Sequence, residues 1–161
     1  LKNATEVTHL REVMRKDGVA LVKFYRWLEA QLPSGQLTEY ACVERLAYFR
    51  SQQAQYFGES FAAIVGYQAN GAIVHYRPDP THSSLLQRTG LLLIDSGGQY
   101  QDGTTDITRT ISLGSPTPDE QAAFTKVLKG HIALASIHFP KGTTGGQLDV
   151  LARMYLWKSG L

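Results

Sequence analysis

Two aspartates eleven positions apart, Asp95 and Asp106, are the residues of this chain best placed to do chemistry. Residues 91–94 are Leu-Leu-Leu-Ile, an apolar run suited to a buried strand, and the run ends by releasing the Asp95 carboxylate. Gly97, Gly98 and Gly103 punctuate the polar stretch that follows, and Asp106 opens a second β-rich run over residues 107–113. A hairpin turning at Asp102-Gly103 pairs Gln101 with Thr104 and sets Gln99 opposite Asp106. Asp95 has the parity of Gln99, so both aspartates point to one face. Four residues of ideal strand still hold them about 13 Å apart, whereas carboxylates serving one metal pair must approach metals about 3.5–4 Å from each other. Joint action therefore requires a bend, and Gly97-Gly98 is where glycine makes one at least cost.

Oxygen donors of this kind suit Mn²⁺, Mg²⁺, Co²⁺ or a carboxylate-rich Zn²⁺ site. On spacing alone the alternative is that Asp95 ends a strand while Asp102 and Asp106 are ordinary turn residues, because aspartate favours turns by bonding to its own backbone. Ile94-Asp95-Ser96-Gly97 also resembles the Asp-Ser/Thr-Gly signature of aspartic proteases, in which two carboxylates share a proton. The signature occurs once here, and the helical first third of the chain departs from that all-β family.

Helices must carry this strand region. Asn3 and Glu6 form a capping box, and Val7, Leu10, Val13 and Met14 recur at helical spacing. Gly18 is a point where that helix bends or breaks; apolar positions resume from Val19 to Leu28, and Pro33-Ser34-Gly35 ends the run. A further helix starts at Thr38 and runs to about Gln53. Residues 61–65 and 72–76 read as two strands joined by a loop containing Asn70-Gly71, and residues 91–95 and 107–113 as two more. Thr117-Pro118-Asp119-Glu120 starts a helix reaching about His138, and residues 148–157 form a last one before Gly160. Helices, then strands, then helices imply an α+β architecture, an antiparallel or mixed sheet covered by helices.

Composition bounds the rest. A chain of 161 residues, 43% of them hydrophobic, can build one domain with a real core. The formal charge is +2 with signs interspersed, which argues against nucleic acid and anionic membrane as partners. A lone cysteine, Cys42, cannot form an intrachain disulfide, and a reducing, cytoplasmic setting is expected. No apolar run approaches the roughly 20 residues needed to span a bilayer. Both termini read as cuts through a longer polypeptide.

The run Asp95-Ser96-Gly97-Gly98-Gln99-Tyr100, followed by Asp102-Gly103-Thr104-Thr105-Asp106-Ile107-Thr108-Arg109-Thr110, closely resembles the metal-binding segment of the Xaa-Pro aminopeptidase (aminopeptidase P) family. Lys2-Asn3 with Glu6, Asp17-Gly18-Val19-Ala20 and Trp27-Leu28-Glu29 look like the opening helices of that family's catalytic domain, and residues 70–76 look like its histidine-bearing strand. The resemblance runs nearly end to end. It implies a partial creatinase or pita-bread fold, with residues 1–161 forming the N-terminal portion of a metallopeptidase catalytic domain. It implies release of the N-terminal residue from peptides with proline second. Asp95 is then a ligand of one metal of a dinuclear pair and Asp106 a ligand of both; the metals are expected to be Mn²⁺, with Zn²⁺ or Co²⁺ as alternatives, and a hydroxide held between them attacks the scissile carbonyl. His75, which on an apolar strand alone would read as a satisfied core residue, is implied to be catalytic and to hydrogen-bond the reacting peptide. Arg109 and Thr108 are expected to support the ligands from behind, Arg109 through bonds to neighbouring carboxylates.

The same resemblance implies a homodimeric parent, and it completes the site with a histidine and two glutamates that residues 1–161 do not supply. Two ligands of five predict negligible peptidase activity for this chain by itself. Prolidase, cleaving dipeptides on the same fold, is the near alternative, although the 102–106 spelling and the Lys2-Asn3 opening favour the aminopeptidase. A catalytically silent binding module of the same fold is the alternative from another class, against which the retention of Asp95, Asp106 and His75 argues.

Overall fold

Asn3 caps the first helix as its spacing from Glu6 requires, with Glu6 N–H donating to Asn3 Oδ1 at 2.9 Å and Asn3 N–H to Glu6 Oε2 at 2.8 Å. In the computed structural model, which describes residues 2–161, α1 (Ala4–Gln31) then runs through Gly18 without a break. Val13, Asp17, Ala20, Leu21, Phe24 and Leu28 form one buried stripe on both sides of Gly18, and that burial outweighs the roughly 1 kcal/mol a glycine costs inside a helix. A 3-10 turn (Leu32–Ser34) follows and ends on Gly35 in the left-handed conformation, φ 67°. The Thr38 hydroxyl accepts from Ala41 N–H at 3.1 Å and opens α2 (Glu39–Ser51).

Six short strands follow: β1 (Tyr56–Glu59), β2 (Ile64–Tyr67), β3 (Leu91–Ser96), β4 (Gly98–Tyr100), β5 (Gly103–Thr104) and β6 (Ile107–Ser112). They make two antiparallel three-stranded sheets, ordered β1-β4-β5 and β2-β3-β6. α1 and α2 bury their apolar faces with the second sheet: Phe24, Leu28, Cys42 and Leu46 share one core cluster with Val65, Leu92, Ile94 and Ile107. Burial pushes the Cys42 thiol up to about 12, so it is a packing residue and not a nucleophile.

Four departures from the sequence reading concern the strand region, one being that the strand expected over residues 61–65 forms instead at Ile64–Tyr67. β1 lies where no strand was expected, and Gly58 weakens its pattern. Residues 72–76 are not a strand: Gln68–Ala72 forms a 3-10 turn and His75 takes a left-handed backbone with φ 56°. Asn70 Nδ2 and Tyr76 OH are bound instead to the Glu39 carboxylate of α2, at 3.0 and 2.8 Å, and Ile73 and Val74 between them stand 53% and 83% exposed. Finally, the hairpin turns at Gln101-Asp102, pairing Tyr100 with Gly103 and Gln99 with Thr104, so Asp106 does not face Gln99. The Asp102 side chain is drawn to Lys16 of α1 at 2.8 Å and Gln101 N–H to the Gln55 carbonyl at 3.0 Å, contacts that hold the hairpin tip in this register.

The ribbon does bend at the glycines. Ser96 ends one sheet and Gly98 begins the other, with Gly97 alone between them. Ser60 N–H donates to Gly97 O at 2.9 Å and Ser60 Oγ to Thr105 O at 2.9 Å, and a Cβ on Gly97 would overlap both that carbonyl and that hydroxyl. Close approach, and not a positive φ, is what requires glycine there.

A buried polar cluster binds these pieces. The Arg50 guanidinium, fully buried, donates to both oxygens of fully buried Asp17 (2.7 and 3.2 Å), to Glu59 Oε2 (3.0 Å) and to Ser96 Oγ (3.0 Å). Asp17 also accepts from Tyr100 OH and Thr105 Oγ1, each at 3.0 Å. Burial by itself would disfavour the Arg50 charge, but its bonds to Asp17 and Glu59 prevail and hold its pKa above the ordinary value.

Residues 116–161 form a separate unit in which α3 (Pro118–Ser136) packs on α4 (Gly145–Trp157). Capping boxes at Thr117 and Thr144 start the two helices, and Gly130 lets α3 approach the Ala152 backbone. α4 begins three residues before the expected start, because Thr144 pairs with Gln147 as its cap.

Two stability outcomes follow from these contacts. Arg50→Met leaves Asp17 and Glu59 without their shared cation and should cost about 3–5 kcal/mol, read as a lower urea midpoint at unchanged slope. Gly97→Ala should cost about 3 kcal/mol through overlap with backbone that cannot yield. Gly58→Ala, where a Cβ meets nothing within 4 Å, is the matched control and should stay within about 1 kcal/mol of the parent in the same denaturation series.

Candidate active site

The neighbours of the two aspartates orient them. Alternation along β3 turns Ser96 inward to Arg50 and therefore turns Asp95 outward. Thr105 points inward to Asp17, and Asp106, the next residue, points outward. One buried ion pair thus grips the residue beside each acid. Asp95 lies directly opposite Thr108 on β6 and opposite Ile64 on β2. Asp106 is two residues from Thr108 on the same face, which makes it a diagonal neighbour of Asp95 at roughly 7 Å between β-carbons, about half the separation along a straight ribbon.

Both carboxylates open into one cleft of about 390 Å³ lined by Phe61, Ala62, Ile64, His75, Arg77, Asp95 and Asp106. His75 reaches it from the turn after the 3-10 segment, although the expected strand is absent. Thr108 Oγ1 donates to Asp95 Oδ1 at 2.7 Å, and among the described residues no donor is bonded to Asp95 Oδ2 or to Asp106. Arg109 differs from expectation. It pairs with Ile94, on the face away from Asp95, and donates to the Thr108 carbonyl at 2.7 Å; among the described residues it forms no ion pair with a carboxylate. The parity of a strand decides this, since Thr108 and Arg109 cannot both face the acids.

Arg77 was not anticipated. Its guanidinium lines the same cleft, where its fork of donors suits a ligand carboxylate or carbonyl. Glu39 was missed as well; it is fully buried and accepts four hydrogen bonds, yet an acidic residue opening a helix reads in sequence as an exposed one. Only proximity to His75 marks Arg77, and nothing in the linear pattern marks Glu39.

The donor set fits a hard divalent cation: two carboxylates on one face, one oriented by a hydroxyl and the other free. It is not a whole site. Among the described residues no three His, Cys, Asp or Glu side chains gather closely enough to hold a metal ion. Among the described residues no helix is long and apolar enough to cross a membrane.

The profile of Metallopeptidase family M24 matches residues 8–161. The Probable Xaa-Pro aminopeptidase P of Laccaria bicolor is 46% identical over all of this chain and 25% of its own length. That of Neurospora crassa is 47% identical over all of this chain and 24% of its own. The crystal structure of X-prolyl aminopeptidase from Caenorhabditis elegans, described as a cytosolic enzyme with a di-nuclear active site, superposes with a TM-score of 0.90 at 40% identity, covering 99% of this chain and 26% of that one. The chain therefore spans about a quarter of the length of the relatives it matches. These matches, with Ser96 committed to Arg50, set the aspartic-protease reading aside and support the partial pita-bread architecture. By sequence profile and by fold, this chain belongs to metallopeptidase family M24.

Proposed function

We propose that this chain is part of the catalytic domain of a metal-dependent aminopeptidase that releases the N-terminal residue from peptides with proline second. The observation that carries the reading is the meeting of Asp95, Asp106 and His75 in one cleft, although they lie on a strand, on the residue preceding another strand and on a turn, up to 31 positions apart. The relatives' names support proline at the second position.

Asp95 would hold a metal, with Thr108 fixing the carboxylate through its bond to Oδ1. Asp106, to which no donor is bonded among the described residues, would be a second metal ligand. By the family resemblance the remaining ligands would be a histidine and two glutamates, which residues 1–161 do not supply. Two divalent ions, Mn²⁺ by the family resemblance, supply Lewis-acid activation of water and of the scissile carbonyl. His75 donates to the reacting peptide and orients it, and Phe61, Ala62 and Ile64 wall that side of the cleft against water. A cytosolic location is supported by the description of the Caenorhabditis elegans enzyme, and a homodimeric parent by the family resemblance.

In the full-length protein, hydrolysis of a tripeptide with proline second should vanish on chelation and return with Mn²⁺. Asp106→Asn should abolish both hydrolysis and the second bound ion, counted by elemental analysis. Activity that survives metal removal would sink the reading, and hydrolysis confined to dipeptides would make the parent a prolidase. The 161-residue chain alone, with Mn²⁺ added, should show no turnover. Thr108→Val should weaken metal binding by about 10- to 100-fold in a chelator competition while leaving the fold intact.

A further inference from the structure

The segment between β2 and β3 carries His75 without belonging to a sheet, so something other than strand pairing must hold it. Its main anchor is a carboxylate from another element. Glu39, the first residue of α2, is fully buried, and its two oxygens take two donors each. Oε1 accepts from Tyr67 N–H at 2.7 Å and Asn70 Nδ2 at 3.0 Å; Oε2 accepts from Tyr76 OH at 2.8 Å and Ser84 N–H at 3.1 Å. Asn70 Nδ2 also lies 3.0 Å from Tyr76 OH and 3.0 Å from Ser84 Oγ. All four donors to Glu39 come from residues 67–84, the stretch that contains His75.

Burying a carboxylate is costly, and a fold that needed only to cover this end of α2 could do so with an apolar residue. What the carboxylate secures in addition is the backbone around His75. That residue sits at φ 56°, a left-handed conformation that histidine adopts more readily than most residues but that persists only where its surroundings impose it. The next residue, Tyr76, supplies the constraint on one side through its hydroxyl, and Tyr67 and Asn70 supply it on the other. Burial, then the bond to Glu39, pushes the Tyr76 phenol up to about 12, so it stays a donor across the physiological range.

We propose that Glu39 is a positioning residue for catalysis: by gripping Tyr76, Asn70 and Tyr67 it holds the strained turn that aims His75 into the cleft beside Asp95 and Asp106. The inference rests on His75 acting on the substrate, as proposed above. Glu39 itself touches neither substrate nor metal.

The test is a double-mutant cycle in the full-length protein, with a tripeptide bearing proline second. Tyr76→Phe keeps the ring and removes one bond; Glu39→Gln puts an amide donor where two donors already converge. Each should lower kcat/KM by about tenfold or more, mainly through kcat, with metal content unchanged. In a His75→Ala background, Tyr76→Phe should change kcat/KM by less than about twofold, because the group it positions is gone. An undiminished Tyr76→Phe effect in that background would overturn the proposal and leave Glu39 a fold anchor, as would unchanged kcat/KM in Tyr76→Phe. If His75→Ala alone leaves kcat/KM unaltered, the reading of His75 fails and the positioning role falls with it. The mildness of Tyr76→Phe keeps the test decisive should Glu39→Gln fail to fold.

Discussion

Arg50, buried with Asp17, is the interaction on which the rest of this structure depends. One guanidinium reaches α1 through Asp17, β1 through Glu59 and β3 through Ser96, and Asp17 extends the cluster to Tyr100 and Thr105. Burying charge in this way is not the cheapest route to stability, since apolar replacement of a buried pair is often neutral or better. Its value here is directional. Apolar packing would tolerate small rotations of β3, whereas hydrogen bonds to Ser96 and Thr105 fix which side of the chain faces in, and so which side presents Asp95 and Asp106.

The apolar core and the polar cluster divide the labour. Phe24, Leu28, Cys42, Leu46, Leu92 and Ile94 supply the bulk of the burial that holds helices to sheet. Arg50 and Glu39, the two large buried charged residues of α2, each organise one wall of the cleft: Arg50 the strands with the carboxylates, Glu39 the turn with the histidine. A single helix therefore sets the relation between metal ligands and His75, from two points separated by three turns.

Much of this was legible in the sequence, and the exceptions share a cause. Local signals held: the boxes at Asn3 and Thr117, the cap at Thr38, the stop at Gly35, and the strands on either side of the acids behaved as their residues demanded. Asp95, Asp106 and the bend at Gly97 were readable because apolar periodicity and glycine chemistry are local. What failed needed tertiary information. Residues 72–76 have β-rich composition, but the Glu39 carboxylate of α2 binds Asn70 and Tyr76 and holds the segment between them in a turn. The hairpin register was set by Lys16 and Gln55, far away in the sequence. Glu39 and Arg50 look like surface charges on an ordinary helix until their partners, up to 46 positions away, are known.

The hairpin from Gly97 to Thr105 separates the interval between the two acids in sequence from their interval in space. Its base is clamped on both sides: Gly98 N–H donates to Thr105 Oγ1 at 2.8 Å, Thr105 N–H returns to Gly98 O at 2.9 Å, and Ser60 ties Gly97 to Thr105. Everything beyond that base is an excursion that leaves the sheet and comes back to the same place. Its tip is tied down separately, Asp102 by Lys16 and Gln101 by Gln55, so the chain is held at both ends of the excursion. The eleven-position interval is thus a path length through the hairpin, while the spatial interval is a property of the clamp at its base.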